Sequence, residues 1–235
     1  MSTIALAPSG VGPFIGSLFT AKQVSSILGN YYSFTTSAGI AVVTSLTALT
    51  EASPALIIEN TAPVGGVNIT LDFVRIQATA IAAAATDWQY GWKLDNIRNK
   101  WASAGSTLTP QNANVGIPNA SAGTVHAGAL VVATAQQSST NFAKLIASEY
   151  LAPVGSNPVQ IIGDLVDFRF GGNEAHLPTV ISNVASNGAH TFASGHVVSL
   201  PPVTLGPGTT ATLFLWGTAV GSAASYTFTG GWYEF

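Results

Sequence analysis

The 235-residue sequence contains no cysteine. It therefore has no disulfide framework and no thiolate metal site. The absence fits a protein assembled in a reducing cytoplasm. Charge is almost as scarce: Lys, Arg, Asp and Glu make up 7% of the chain, against roughly 25% in typical soluble domains. The seven basic residues are scattered from Lys22 to Arg169 without a run, and the net charge is −3. Phosphate backbones are held by clustered cations, so nucleic acid is not an expected partner. The short charged stretch that holds Lys93, Asp95, Arg98 and Lys100 reads as a solvated loop or edge. No apolar run reaches the roughly 18 residues of a membrane helix, so no membrane partner is expected. The first residues lack a basic leader region, and Gly10, Gly12, Pro13 and Gly16 interrupt them, which makes a poor secretory signal. The sequons Asn68-Ile-Thr and Asn119-Ala-Ser then read as chance matches.

The hydrophobic fraction is 47%. Disorder needs the opposite balance of low hydrophobicity and high charge, so a folded core is expected. A skin this poor in ions is weakly protected against association. Much of it is therefore expected to be covered by partner subunits.

The recurrent pattern is extended. Residues 31–36, 40–49, 54–60, 88–94, 124–134, 159–170, 189–199, 203–205, 210–219 and 225–235 are rich in β-forming types. In 67–77, Val67, Ile69, Leu71 and Phe73 fall on one face and Asn68, Thr70 and Asp72 on the other, the period of a half-buried strand. Residues 78–85 read as a strand end and loop. Residues 138–149 fit a short helix, with a strand over 143–151 as the competing assignment. Residues 102–123 form a long loop rich in Ser, Gly, Asn and Pro, expected to contact a neighbouring subunit. Turns are marked by Val64-Gly65-Gly66, Gly171-Gly172-Asn173, Asn187-Gly188 and Gly206-Pro207-Gly208. Short strands at this spacing predict an all-β fold, an antiparallel two-sheet jelly-roll sandwich with at most one or two short helices. The expected division is an amino-terminal arm over 1–25 and a single jelly-roll domain over 26–235.

Few residues suggest chemistry. His126, His176, His190 and His196 are the best catalytic candidates, and Glu174 with His176 has the spacing of one strand face. A cupin-type metal site wants a His-x-His pair, which is absent, so the histidines read as loop or interface residues and no metal or cofactor is expected. Asp164 and Asp167 are three apart on a strand and point to opposite faces, which argues against shared acid–base work and for pairing with Arg169 or solvation. No nucleophile elbow and no phosphate-cradling loop occurs. The reading is not an enzyme.

The aromatic stripe Trp88, Tyr90 and Trp92 shares one strand face. It can serve as a sugar platform, an anchor between subunits, or part of a buried sheet. These three join Ile4, Leu6, Phe14, Ile15, Leu18 and Phe19 of the Gly/Pro-broken arm as candidate interface residues. In the last strand, the alternation up to Thr229 and the Gly230-Gly231 pair predict a bulge or bend.

The stretch from Val203 through Leu205-Gly-Pro-Gly and Leu213-Phe-Leu-Trp to Gly230-Gly231-Trp232-Tyr233-Glu234-Phe235 resembles the end of jelly-roll virion proteins of tailed bacteriophages. The Ala/Ser/Thr/Gly-rich composition is similar to that of phage head and decoration proteins. The resemblance covers about the last 35 residues. It implies a virion structural protein, a homo-oligomer and commonly a trimer, seated on or within the capsid lattice. A decoration (cement) or minor head protein is the expected role, with a major coat protein or a carbohydrate-binding or receptor-binding module as alternatives.

Overall fold

The computed structural model describes residues 20–43, 48–80, 88–137, 144–150, 162–171, 178–179, 195–217 and 224–235. Among the described residues, the first element is helix α1 (Ala21–Ile27). Thr20 caps it: its hydroxyl accepts from the Gln23 amide, and the Gln23 side chain accepts from the Thr20 amide. That reciprocal capping box satisfies two amides that a helix start leaves open. The helix runs across residue 25, where the arm was expected to meet the domain.

The strands follow in the order β1 (Tyr31–Thr35), β2 (Ile40–Ala41), β3 (Leu56–Asn60), β4 (Ile69–Ala80), β5 (Trp88–Asp95), β6 (Ser106–Leu108), β7 (Gln111–Asn112), β8 (Gly123–Ala127), β9 (Lys144–Tyr150), β10 (Leu165–Phe170), β11 (Pro178–Thr179), β12 (Gly195–Leu200), β13 (Thr204–Leu205), β14 (Thr210–Gly217) and β15 (Ser225–Glu234). A 3-10 turn, Thr134–Gln136, lies between β8 and β9. One sheet has the order β11-β12-β10-β4-β15-β1-β7, with β13 beside β4 and β2 beside β15. The other has the order β6-β8-β3-β14-β5-β9.

Eight of these strands form the frame: β1-β15-β4-β10 in one sheet and β3-β14-β5-β9 in the other. The first and last strands are neighbours, and the chain alternates between sheets as a doubled ribbon would. This is the jelly-roll order, so the fold is the expected all-β two-sheet sandwich. Among the described strands, the one parallel pair, β10 with β12, lies outside that frame.

The inward residues of both sheets form one core. Leu56, Ile58, Tyr90, Trp92, Leu213 and Leu215 from the second sheet meet Leu71, Val74, Ile76, Phe168, Phe228 and Trp232 from the first. The expected face of β4 is corrected beyond Leu71. Gly231 pairs with Phe73 but Trp232 pairs with Leu71, so β4 carries one extra residue there. Leu71 and Val74 both point inward, and Phe73 is turned to the outer face. The expected irregularity at Gly230-Gly231 is therefore present, with the additional residue on the partner strand.

The glycines of β15 have a steric reason. A Cβ on Gly230 would lie 2.5 Å from the Phe34 ring, and one on Gly231 would collide with the Tyr31 hydroxyl. β1 thus lays an aromatic ring over β15 on each face.

Two other expectations change. Lys144–Tyr150 is extended and pairs along β5 from Leu94 to Gln89, so the strand assignment replaces the helix there. Residues 138–143 lie outside the described residues. The 102–123 segment is not a free loop: β6 extends one sheet beside β8, and β7 extends the other beside β1. It straps the two sheet edges of its own subunit together.

Candidate functional site

The structure separates the sequence-derived candidates. Tyr90 and Trp92 are fully buried on β5. Their rings pack edge-on against Phe168, at 4.8 and 5.5 Å, and Trp92 also meets Phe170 at 5.3 Å. This is a correction: neither ring is available to a partner or a sugar, because the inner face of β5 closes the sandwich. Trp88 opens that strand opposite Gly217, and its side chain lies outside the described residues. So do Ile4, Leu6, Phe14, Ile15, Leu18 and Phe19.

His176, His190 and Glu174 also lie outside the described residues, and His196 is placed only by its backbone on β12. His126 on β8 is buried and stacks flat on Trp101 at 4.1 Å, with Thr107 Oγ1 3.0 Å from Nδ1. Burial lowers its pKa, which favours the neutral ring. Among the described residues, no group of three His, Asp or Glu side chains could hold a metal ion.

The clearest candidate surface is one end of the sandwich. The α1–β1 turn, the β3–β4 turn, the segment between β7 and β8, and the carboxy-terminal residues converge there. Asn114 donates to the Ile27 carbonyl, Asn112 donates to the Gly29 carbonyl, and Asn68 and Phe235 exchange backbone hydrogen bonds. Glu234 ties these segments together from a buried position. Its carboxylate accepts from the Trp232 indole at 3.0 Å, from the Ala122 amide at 3.1 Å and from the Ser121 hydroxyl. A cleft of about 580 Å³ opens beside it, lined by Asn30, Tyr32, Thr61, Val67 and Asn119 among others. Around this end, Ile27, Leu28, Val64, Val67, Val115 and Phe235 are exposed, Val115 almost completely at 98%. The segments 27–30, 61–68 and 113–122 contain no charged residue. Sequence reading missed this cluster because its members are far apart in the chain.

The outer face of the first sheet gathers three of the seven cations. Lys22 from α1 pairs with Asp72 at 2.5 Å and lies over the Tyr31 and Phe73 rings. Arg169 also lies over Phe73 and bonds Asp167, which also accepts from Arg75 at 2.9 Å. Asp167 thus pairs with arginine across the strands. Tyr31 donates to Asp72 at 2.7 Å. Burial, then the Asp72 hydrogen bond and charge, raise the Tyr31 pKa strongly. Burial and then Asp72 push Tyr233 up to about 12.

The outer face of the second sheet holds a buried ionic network, which corrects the solvated reading of Asp95 and Lys100. Both side chains are fully shielded and in direct contact. Lys93 contacts Glu51, and Lys100 Nζ is 3.8 Å from Glu51 Oε2. Thr210 donates to Asp95 at 2.5 Å, and the Ile97 amide at 3.1 Å. Burial alone would raise the Asp95 pKa, but the Lys100 charge and these donors more than offset it and hold it low. Glu59, bonded by the Asn99 amide at 2.7 Å, is raised by burial against the pull of that amide, the Lys100 amide and Arg98. Lys100 is buried in this turn together with its partner Asp95, which offsets the cost of shielding either charge alone.

Comparison with protein families, with curated proteins and with solved structures finds nothing that matches this chain.

Proposed function

We propose that this chain is a structural protein of a virus particle, of the bacteriophage type. It stabilises a capsid as a decoration (cement) or minor head protein through contacts between subunits. It acts as a homo-oligomer, a trimer by the resemblance of its last strands, on the capsid lattice. Neither catalysis nor a cofactor enters this reading.

The observation that carries it is the poverty of charge at the surface. The chain has seven basic and ten acidic residues, and Glu59, Asp95, Lys100, Asp167 and Glu234 among them are buried. What remains gives water little to solvate and gives a neighbour little to desolvate. The uncharged end around Ile27, Val64, Val115 and Phe235 is the part best suited to such a contact. The jelly-roll order agrees with this role, since capsid domains use it, although lectin domains and cupins share it. Burial of Trp92 removes the stripe that favoured a sugar-binding module.

The test is addition of the purified protein to capsids stripped of their accessory proteins. Saturable binding with a raised capsid disruption temperature is expected. Capsids that bind none of it, or bind it without any gain in heat resistance, would refute the reading. Assembly of empty shells by the protein alone would make it the major coat protein instead.

A further inference from the structure

The buried network on the second sheet has the parts of a reaction centre. Lys100 Nζ contacts Asp95 Oδ2, and neither side chain is reached by solvent. The other carboxylate oxygen, Oδ1, accepts from Thr210 Oγ1 at 2.5 Å and from the Ile97 amide at 3.1 Å. Two donors on one oxygen are what stabilises negative charge developing there. Glu51 Oε2 lies 3.8 Å from Nζ, buried and without a hydrogen-bond partner. It is a base within reach of the ammonium group and not engaged elsewhere through that oxygen.

We propose that Lys100 and Asp95 join spontaneously in an isopeptide cross-link. A proton passes from the Lys100 ammonium to Glu51, and the neutral amine attacks Cγ of Asp95. The carbonyl electron pair moves onto Oδ1, where Thr210 and Ile97 hold it. Oδ2 departs as water, taking the proton returned by Glu51 and a second proton from the attacking nitrogen. Ammonium plus carboxylate thus become amide plus water. Nothing is oxidised or reduced, and no outside reagent is needed.

Three physical terms favour the step. Direct contact turns a bimolecular condensation into an intramolecular one. The pair is costly as buried ions, and the amide removes both charges. A closed site restrains the return of water for hydrolysis. The charges left behind stay matched, Glu51 with Lys93 and Glu59 with Arg98. The inference is independent of the capsid reading.

Intact-mass measurement on the natively purified full chain tests it. The mass is expected below the sequence value by one water, and full in Lys100→Met. Trypsin cleavage after Arg98 should leave the piece ending at Arg98 joined to the piece bearing Lys100. Glu51→Gln, with its fold checked by circular dichroism, should form the link ~100-fold more slowly, the scale of general acid–base catalysis. A full sequence mass in the folded wild-type protein overturns the proposal. So does a loss of water that survives in Lys100→Met, and a Glu51→Gln variant that links at the wild-type rate overturns the role of Glu51.

Discussion

At the scale of single residues, two tightly packed side chains decide what the surface can do. Trp92 reads in sequence as one of three rings on a strand face, and period alone does not say whether that face is wet. The structure settles it through Phe168 and Phe170, which arrive from the opposite sheet. Trp92→Ala should therefore cost about 3–5 kcal/mol of stability, the usual scale for emptying a buried aromatic site, as read by urea unfolding. An unchanged midpoint would mean that the ring is not in the core. Glu234 was invisible as a keystone, because its three partners come from Ser121, Ala122 and Trp232. Glu234→Ala strands buried donors at ~1–3 kcal/mol each. It should speed hydrogen exchange at the Ala122 amide more than at amides of β14. Uniform exchange across both sites would contradict the anchoring role. The Thr20-to-Gln23 capping box, by contrast, is legible in the sequence as a Thr followed three residues later by a Gln.

At the scale of elements, alternation located most strands but not their pairing. The Gly230-Gly231 pair foretold an irregular last strand. It did not reveal that β4 carries the extra residue, since a bulge belongs to two strands and only one was in view. Gly230→Ala should destabilise by about 1–3 kcal/mol through overpacking against Phe34, measured by thermal unfolding. A neutral result would show that β1 shifts freely. Across the outer face of the first sheet, the buried Tyr31 and half-buried Tyr233 hydroxyls favour the protonated form. For an acid whose folded pKa is raised, stability is full below the unfolded value and is lost as pH climbs through the folded one. Stability should therefore fall between the ordinary 10.0 of tyrosine and about 12. An absorbance titration of phenolate is expected to track unfolding in that window. Ionisation of every tyrosine near pH 10 in a still-folded protein would oppose it.

At the scale of the whole molecule, the all-β sandwich was legible and the pairing of particular strands was not. Turn chemistry and strand spacing point to a sandwich, but β1 meets β15 about two hundred residues later, as in Tyr32 opposite Trp232. Such long-range pairing follows from burying two apolar faces together, and a local pattern does not encode it. The same holds for the uncharged end, assembled from segments around residues 28, 64, 115 and 235. Since few ions line that surface, association through it should be nearly indifferent to salt, unlike contacts built on charge. The most direct measurement is sedimentation velocity over a range of protein concentrations, at low and at high salt. The account predicts a concentration-dependent homo-oligomer whose population does not fall as salt is raised. A single monomeric species persisting at the highest concentration would contradict it.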